Sequence, residues 1–207
     1  MSAPSLVDIR WAWDEALFRT VNGLGWEWLD AVWILATSRP FGVAALFFVA
    51  VWLVAKLKRQ VVLPLVQVGA AVAVTDALGA RLIKPAIGRF RPSFVLAEDL
   101  VRVLVPASNV GSMPSLHSAN AFAVATVVTL THRRAGLVAF PIALLIGASR
   151  VGVHWPSDVL VGALYGSSIG ALVVVGTRAA LARWRPGAAA ATTAPPRQTE
   201  PHQADRP

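Results

Sequence analysis

Long apolar runs, each closed by charged residues, dominate the chain from residue 41 to residue 177. A helix needs about 20 apolar residues to cross the hydrocarbon of a bilayer, with a range of roughly 17–25. The pattern therefore predicts five membrane-spanning helices, of which the first and fourth are short and must use flanking residues. The predicted spans cover residues 41–56, 61–83, 114–131, about 136–149 and 156–177.

The first 40 residues give a different pattern, in which a short apolar segment is combined with many tryptophans. These are Trp11, Trp13, Trp26, Trp28 and Trp33. Indole rings concentrate at the headgroup level of a membrane. The segment is either a surface-lying amphipathic helix or, with residues 16–37, a sixth span. The predicted fold is thus all-α: a polytopic transmembrane helix bundle of five spans plus an N-terminal interfacial or sixth helix.

The bundle is expected to form a single domain over residues 1–185, with 1–40 as its N-terminal interfacial or first-span region. Beyond it, residues 186–207 are rich in Ala, Thr, Pro and Gln and have no apolar pattern, which predicts a disordered tail. Asp8, Asp14 and Glu15 precede any apolar core, so we expect no secretory signal peptide at the N-terminus.

Composition supports an integral membrane protein. Hydrophobic residues make up 56% of the 207 residues, charged residues only 14%, and the mean hydropathy is +0.59. A soluble domain carries roughly 25% charged residues. The net charge of +8 does not indicate nucleic-acid binding, because many cations flank apolar runs and no basic stripe is interleaved with aromatic residues. The expected partners are the lipid bilayer and a lipid substrate. The absence of cysteine excludes disulfides and thiolate metal sites.

Orientation follows from the basic clusters between the spans. If the five spans alternate, the clusters at 56–59, 133–134 and 178–185 share one side, which the positive-inside rule makes cytoplasmic. The protein is then a multi-pass protein of the cell membrane with a cytoplasmic C-terminal tail. The remaining polar clusters lie on the extracytoplasmic side. Arg89 and Arg102 also fall on that side, and the pattern gives neither of them a role.

Prolines mark the helix ends beside three of these polar clusters. Pro85 disfavours helical geometry at Lys84, so the second span is expected to end there. Pro114 and Pro156 suit the first turn of a helix, where a missing N–H is tolerated. One helix C-terminus and two helix N-termini should therefore meet on one membrane face. Helix N-termini favour phosphate because their first N–H groups are unpaired.

The three clusters contain the groups that bind a phosphoryl group without a metal. The cations Lys84, Arg91 and Arg150 can neutralise its oxygens, and the planar guanidinium suits two-oxygen contacts. The backbone amides of Ser115 and Leu116, with the Ser115 hydroxyl, would add hydrogen-bond donors. These five residues form the predicted phosphate-binding set.

Two histidines and one carboxylate supply the predicted chemistry. His154 lies just before the fifth span, and Asp158 follows four residues later, within reach of one imidazole nitrogen. The carboxylate would fix the tautomer and leave the other nitrogen free as a nucleophile. His117 is then available to protonate the leaving alkoxide and later to activate water.

The ordered triple of motifs resembles the type 2 phosphatidic acid phosphatase family, the membrane branch of the superfamily that includes vanadium haloperoxidases. The family's first motif is Lys, six residues, then Arg-Pro; the second is Pro-Ser-Gly-His; the third is Ser-Arg, five residues, His, three residues, Asp. The matching residues are Lys84 with Arg91-Pro92, Pro114-Ser115-Leu116-His117, and Ser149-Arg150 with His154 and Asp158.

This resemblance covers roughly residues 60–178 and implies a phosphohistidine formed at His154, with no metal or other cofactor. Two departures from the pattern stand out. Leu116 replaces the usual glycine, so a Cβ is expected to crowd the approach to the phosphate. Only three residues separate Arg150 from His154 where the pattern has five, which makes Arg150 the least secure member of the set.

These observations predict a membrane-embedded phosphohydrolase of lipid phosphates or diphosphates that acts at the extracytoplasmic face. Prenyl diphosphate, phosphatidate, phosphatidylglycerol phosphate and a phosphorylated prenyl-linked sugar are all compatible substrates. Two alternatives stay open. Leu116 keeps a lipid head-group phosphotransferase on the same scaffold possible, and the short Arg150–His154 spacing is compatible with a non-catalytic protein that binds anionic lipids.

Overall fold

A computed structural model describes residues 6–23, 27–106 and 111–184, which are mostly helical and contain no β-strand. The predicted all-α class is therefore confirmed for this part of the chain. The predicted tail at 186–207 and the predicted interfacial residue Trp26 lie outside the described residues. Two compact units divide the chain, Met1–Val174 and Val175–Pro207. The site described below belongs to the first.

Eight α-helices make up most of the described chain, and five of them coincide closely with the predicted apolar segments. They are α1 (Ala12–Gly23), α2 (Glu27–Thr37), α3 (Arg39–Leu57), α4 (Val62–Leu78), α5 (Lys84–Ile87), α6 (Leu116–Thr131), α7 (Gly136–Ala148) and α8 (Pro156–Arg183). A π-helical turn, Gly79–Ile83, joins α4 to α5.

Two helical stretches are apolar and long enough to cross a membrane, Pro40–Ile87 and Pro156–Arg183, and α6 is a shorter apolar helix. The first stretch contains both α3 and α4, which are separated at Lys58, where φ is +48°. Large apolar side chains lie on the outside of these helices, including Phe48 at 67% and Leu164 at 71% exposure. Such surfaces fit a lipid environment, since a monomeric soluble protein rarely exposes large contiguous apolar patches.

The main apolar core joins helices that are distant in sequence. Leu53 of α3, Val68 of α4, Val127 of α6 and Val174 of α8 are buried in one cluster. Four of the predicted spans therefore pack together, and the ends of α4, α6 and α8 are fixed relative to one another.

Helices α6 and α8 approach so closely that their backbones are in contact. A Cβ added to Gly166 of α8 would lie 1.9 Å from the carbonyl oxygen of Ala119 in α6. Gly162 meets Ser115 and Gly170 meets Ala123 in the same way, so three glycines spaced by four residues form a stripe along α8. Small residues at such a stripe let membrane helices pack through their backbones. Since both helices run in the same direction, their N-termini lie side by side.

The N-terminal region forms two short helices in the described residues. Helix α1 has 12 residues and α2 has 11. At 1.5 Å per residue each is about 16–18 Å long, short of the roughly 30 Å of membrane hydrocarbon. Phe18 of α1 is fully buried against Trp155, with ring centroids 5.5 Å apart. Helix α1 therefore packs directly beside His154.

Two expectations about proline were wrong. Lys84 is helical (φ −58°, ψ −48°) despite the following proline, and the chain leaves the helix at Gly88, which has φ +60°. The π-helical turn accounts for this, because the Lys84 amide bonds five residues back to Gly79 and the regular ladder is already interrupted before Pro85. Pro114 precedes the helix, since Ser115 is the N-cap of α6. Pro156 is the first residue of α8, as predicted.

The close approach of α6 and α8 predicts that Gly166→Ala lowers the melting temperature in detergent by roughly 5–10 °C. The added methyl group would overlap a backbone carbonyl, which no side-chain rearrangement can relieve. Gly69→Ala in α4 is the matched control, because no neighbouring atom lies within 4 Å of the added Cβ. Equal melting temperatures for both variants would contradict the backbone contact.

Candidate active site

The three motifs meet at one end of the helix bundle through direct contacts. Lys84 Nζ donates to the carbonyl oxygen of Gly111 at 3.0 Å, which ties the end of α4–α5 to the loop before α6. The Ser115 amide donates to the carbonyl oxygen of Asp158 at 3.0 Å, which ties the start of α6 to the start of α8. The expected meeting of one helix C-terminus with two helix N-termini is confirmed.

His154 is buried between a carboxylate and a cation. Its Nδ1 lies 3.6 Å from Asp158 Oδ2 and 3.3 Å from Ser112 Oγ, while its Nε2 lies 3.4 Å from Arg91 Nη1. A carboxylate can only accept and a guanidinium can only donate. The tautomer that satisfies both neighbours carries its proton on Nδ1, which leaves the Nε2 lone pair directed at the cationic side of the site.

The surroundings keep the His154 imidazole neutral. Burial lowers the pKa of His154 to about 3, and the charges of Arg91 and Lys84 act in the same direction, while the contact with Asp158 opposes them. An unperturbed histidine titrates near 6.5. At neutral pH the ring is therefore uncharged, as a nitrogen nucleophile requires.

Three buried side-chain atoms of the three motifs have no hydrogen-bond partner in the part of the chain that the structure describes. Within the described residues, Arg91 Nε, Arg150 Nε and Ser115 Oγ are buried and make no hydrogen bond to the protein. Buried polar groups are normally paired. All three belong to the predicted phosphate-binding set, and an anion with several acceptor oxygens would satisfy them together.

Arg150 is close to the other cations despite its short spacing from His154. Burial lowers the pKa of Arg150 to about 10, and the charge of Arg91 adds to this effect. Burial also lowers the pKa of Arg91, opposed by Asp158. Arg150 Nη1 donates to Thr37 Oγ1 at the end of α2. The guanidinium is thus held by the N-terminal region while its charge acts on the same space as that of Arg91.

The start of α6 differs from the sequence-based expectation at the Ser115 amide and at the Leu116 side chain, which was expected to crowd the approach to the phosphate. The Ser115 amide was expected to contact the phosphate, but it is occupied by the Asp158 carbonyl. The Leu116 side chain lies against Gly79, the first residue of the π-helical turn after α4, where a Cβ would be only 2.4 Å from Leu116 Cδ2. Leu116 begins the helix, so its own amide lies among the first N–H groups, which the helix leaves unpaired. His117 is exposed next to it.

Sequence reasoning missed Ser112 and Arg89, which contact the predicted catalytic pair, and Asp14, which contacts Arg89. Ser112 Oγ donates to Asp158 Oδ2. Arg89, which had been given no role on the outer loop, is completely buried and donates to Asp158 Oδ1 at 2.7 Å. Asp14, at the other side of Arg89, is also completely buried. The position of Arg89 inside the first motif was the available signal, whereas nothing in the sequence pattern distinguished Asp14.

A family model described as the PAP2 superfamily matches residues 60–182, more than half of the chain. The chain belongs to the PAP2 superfamily. The resemblance inferred from the three motifs is confirmed, and the match contains each of the predicted site residues.

Individual relatives agree with this assignment. The bacitracin transport permease protein BcrC of Bacillus licheniformis is 29% identical over 153 residues, which cover 72% of this chain and 73% of BcrC. The crystal structure of Aquifex aeolicus LpxE has a TM-score of 0.65 and 28% identity, covering 82% of this chain and 98% of LpxE. A PAP2-type phosphatidylglycerolphosphate phosphatase from Bacillus subtilis has a TM-score of 0.61 and 28% identity, covering 81% and 85% of the two chains.

This PAP2 protein is therefore an enzyme, a phosphate-ester hydrolase of the membrane lipid phosphatase type. Its bilayer setting agrees with the apolar helices of the described chain. The family fixes the reaction class, while the substrate and the role of each side chain depend on the geometry of the site.

The neutral, buried state of His154 predicts how stability depends on pH. As pH falls below 6.5 the unfolded state takes up a proton at His154, whereas the folded state does not do so until about pH 3. The folded state should lose about 2 kcal/mol from this source by pH 5, a fall of roughly 4–8 °C in melting temperature relative to pH 7.5. His154→Gln should lack this part of the decline.

His132→Gln is the matched control, because it makes the same replacement outside the site and leaves His154 intact. It should keep the decline of the unmodified protein. Parallel curves for His154→Gln and the unmodified protein would show that His154 does not titrate as the structure requires.

Proposed function

We propose that this PAP2 enzyme is a metal-independent phosphohydrolase of lipid phosphates or diphosphates that works through a phosphohistidine at His154. The observation that carries the proposal is the environment of its imidazole. Nδ1 lies beside Asp158, and Nε2 lies beside Arg91, whose own Nε is a buried donor without a partner among the described residues. This arrangement suits a neutral nitrogen that attacks a phosphoryl group held by cations.

The reaction would proceed in two displacements. In the first, the Nε2 lone pair forms a bond to phosphorus, the bond from phosphorus to the lipid oxygen breaks, and His117 gives its proton to that oxygen. In the second, water attacks the phosphohistidine, its proton passes to His117, and the bond from phosphorus to nitrogen breaks. Asp158 would stabilise the imidazolium-like ring through Nδ1 in both steps.

The cations would take the place that a metal ion fills in other phosphatases. Lys84, Arg91 and Arg150, with the Ser115 hydroxyl and the Leu116 amide, would bind the non-bridging oxygens and neutralise their charge. Donors that are already fixed in place stabilise developing charge at little reorganisation cost. His117 fits the acid role because it is exposed beside these groups, where a leaving oxygen or a water molecule can reach it.

The proposed membrane arrangement has five spans, formed by α3, α4, α6, α7 and α8, in a domain over residues 1–185 with an interfacial N-terminal region. The turns at 56–59 and 133–134 lie at the helix ends opposite Lys84 and Ser115. Since these turns are basic, the positive-inside rule places them in the cytoplasm together with the tail. The active site would then face the extracytoplasmic side of the cell membrane.

The substrate would be a lipid whose phosphate lies at headgroup depth. Phosphatidylglycerol phosphate is a candidate because a similar structure is that of a phosphatidylglycerolphosphate phosphatase. Phosphatidate, prenyl diphosphate and a phosphorylated prenyl-linked sugar fit the same site. We rank prenyl diphosphate slightly ahead because such carriers must be dephosphorylated on the extracytoplasmic face.

Phosphate release from a panel of these lipids, by purified protein in detergent with EDTA, tests the proposal. His154→Ala should reduce release at least 1,000-fold, since no other group can form the covalent intermediate, and vanadate should inhibit the unmodified enzyme. His132→Ala is the matched control and should retain activity. Activity that persists in His154→Ala would refute the phosphohistidine, and loss of activity on chelation would refute the metal-free mechanism.

The same assay separates hydrolysis from head-group transfer. Leu116, which replaces the glycine of the family motif, is the observation that leaves head-group transfer open. An acceptor alcohol that receives the phosphoryl group in preference to water would identify a phosphotransferase.

Arg150 provides a sharper test of the phosphate-binding set. Arg150→Ala should lower kcat/KM about 100-fold and weaken vanadate inhibition, because a charge-assisted donor to the phosphoryl group is lost. Thr37→Val removes only the hydroxyl that accepts from Arg150 and should cause a loss of less than about tenfold. If Arg150→Ala retained vanadate affinity, Arg150 would not contact the phosphate.

A further inference from the structure

Arg89 is a fully buried cation that the proposed reaction does not use directly. Its exposure is 0%, and it lies two residues after the end of α5, in the connection from α5 to α6. Burying a charge is costly unless hydrogen bonds and an opposite charge compensate for the lost water. The partners of Arg89 therefore indicate what its burial achieves.

The guanidinium of Arg89 joins α1 to α8 through two carboxylates. Nη2 donates to Asp14 Oδ2 at 2.7 Å, and Nη1 donates to Asp158 Oδ1 at 2.7 Å. Nη1 also donates to Ser157 Oγ at 2.7 Å, and Nε donates to the carbonyl oxygen of Ile9 at 2.8 Å. One planar group thus fixes two acids that are 144 positions apart in the sequence.

Asp14 completes the connection from the far side. Its Oδ1 accepts from the amide of Ser157 at 2.8 Å, and its Oδ2 accepts from both Arg89 and the Ser157 hydroxyl. Asp14 therefore holds Arg89 and the first turn of α8 in one arrangement, and both carboxylates of the pair have 0% exposed side chains.

This network determines how Asp158 faces His154. Arg89 occupies Oδ1, so the carboxylate turns Oδ2 toward the Trp155 amide at 2.9 Å, the Ser112 hydroxyl and His154 Nδ1. Without Arg89, the carboxylate could rotate and the imidazole would lose the partner that directs Nε2 toward the phosphate. A misplacement of about 1 Å at a reacting atom can lower a rate by about 100-fold.

We infer that Arg89 and Asp14 are positioning residues for this hydrolysis, which act through Asp158 on His154. The inference rests on the proposed function, and it extends the catalytic unit to helix α1. Helix α1 lies outside the family match, which begins at residue 60. The N-terminal segment then contributes to turnover as well as to membrane attachment.

The test measures kcat, KM, inhibition by inorganic phosphate and melting temperature for Asp14→Asn and Arg89→Lys. Asparagine keeps the shape of Asp14 but not its charge, and lysine keeps the charge of Arg89 but cannot reach two carboxylates in one plane. Each variant should lose about 10–100-fold in kcat, with KM and the inhibition constant of inorganic phosphate changed less than about threefold. Phosphate binding should survive because Lys84, Arg91, Arg150 and Ser115 are unchanged.

Two controls separate positioning from a merely structural effect. Phe18→Leu loosens the packing of α1 on Trp155 without touching the network, so it should lower the melting temperature but not kcat. Arg102→Lys weakens a second, half-exposed ion pair, with Asp30 of α2, and should leave kcat unchanged. If Phe18→Leu reduced kcat as much as Asp14→Asn does, the inference would be overturned.

Other outcomes are equally decisive. Unchanged kcat in a destabilised Asp14→Asn or Arg89→Lys protein would assign these residues to folding alone. A raised KM and a raised inhibition constant for inorganic phosphate, with normal kcat, would assign Arg89 to phosphate binding. Activity retained in His154→Ala would refute the proposed function itself, whereas an inactive His154→Ala beside fully active Asp14→Asn and Arg89→Lys would refute only the positioning roles.

Discussion

The site depends on the backbone contact between α6 and α8. Glycine at three successive turns of α8 removes the side chains that would otherwise separate the helices. Because the two helices are parallel and begin at the same level, the contact places the Ser115 amide on the Asp158 carbonyl. The second and third motifs are then neighbours whatever the conformation of the loops between them. In a membrane this packing cannot rely on the hydrophobic effect, so close van der Waals contact is needed instead.

Charge balance is the second constraint on the site, and it accounts for the contact with Asp14 in the N-terminal helix α1. Lys84, Arg91 and Arg150 repel one another, and an empty cluster of cations tends to open. Asp158 is an acidic group beside them, and its Oδ2 faces His154. Arg89 and Asp14 hold it from behind as a buried ion-pair network. The Asp158 carboxylate is thereby fixed through Oδ1, while its Oδ2 faces His154.

The sequence was sufficient for features that depend on local pattern or on short motifs. The positions of α3, α4, α6, α7 and α8 follow from the apolar runs, although α4 ends at Leu78 rather than at residue 83 and α8 continues to Arg183 rather than ending at residue 177. Pro156 begins α8 as its chemistry suggests. The helical state of Lys84 was missed because the π-helical turn before it has no clear sequence signal. The Asp14–Arg89–Asp158 connection was missed because it joins segments that are distant in the sequence. The sequence alone does not distinguish a buried, paired arginine from an exposed one.

The surrounding structure accommodates both departures from the family motifs, Leu116 and the short Arg150–His154 spacing. Leu116 stands where the pattern has glycine, and its side chain packs over Gly79, a position at which any Cβ would collide with it. A large residue at the start of α6 is thus matched by glycine in the π-helical turn after α4, so the added volume lies between these two segments. The short segment between Arg150 and His154 is also accommodated. Arg150 donates a hydrogen bond to Thr37, and its charge still interacts with that of Arg91. The cations and the His154 imidazole are thus gathered in one cluster although the local sequence departs from the family pattern, because the helices around them are fixed.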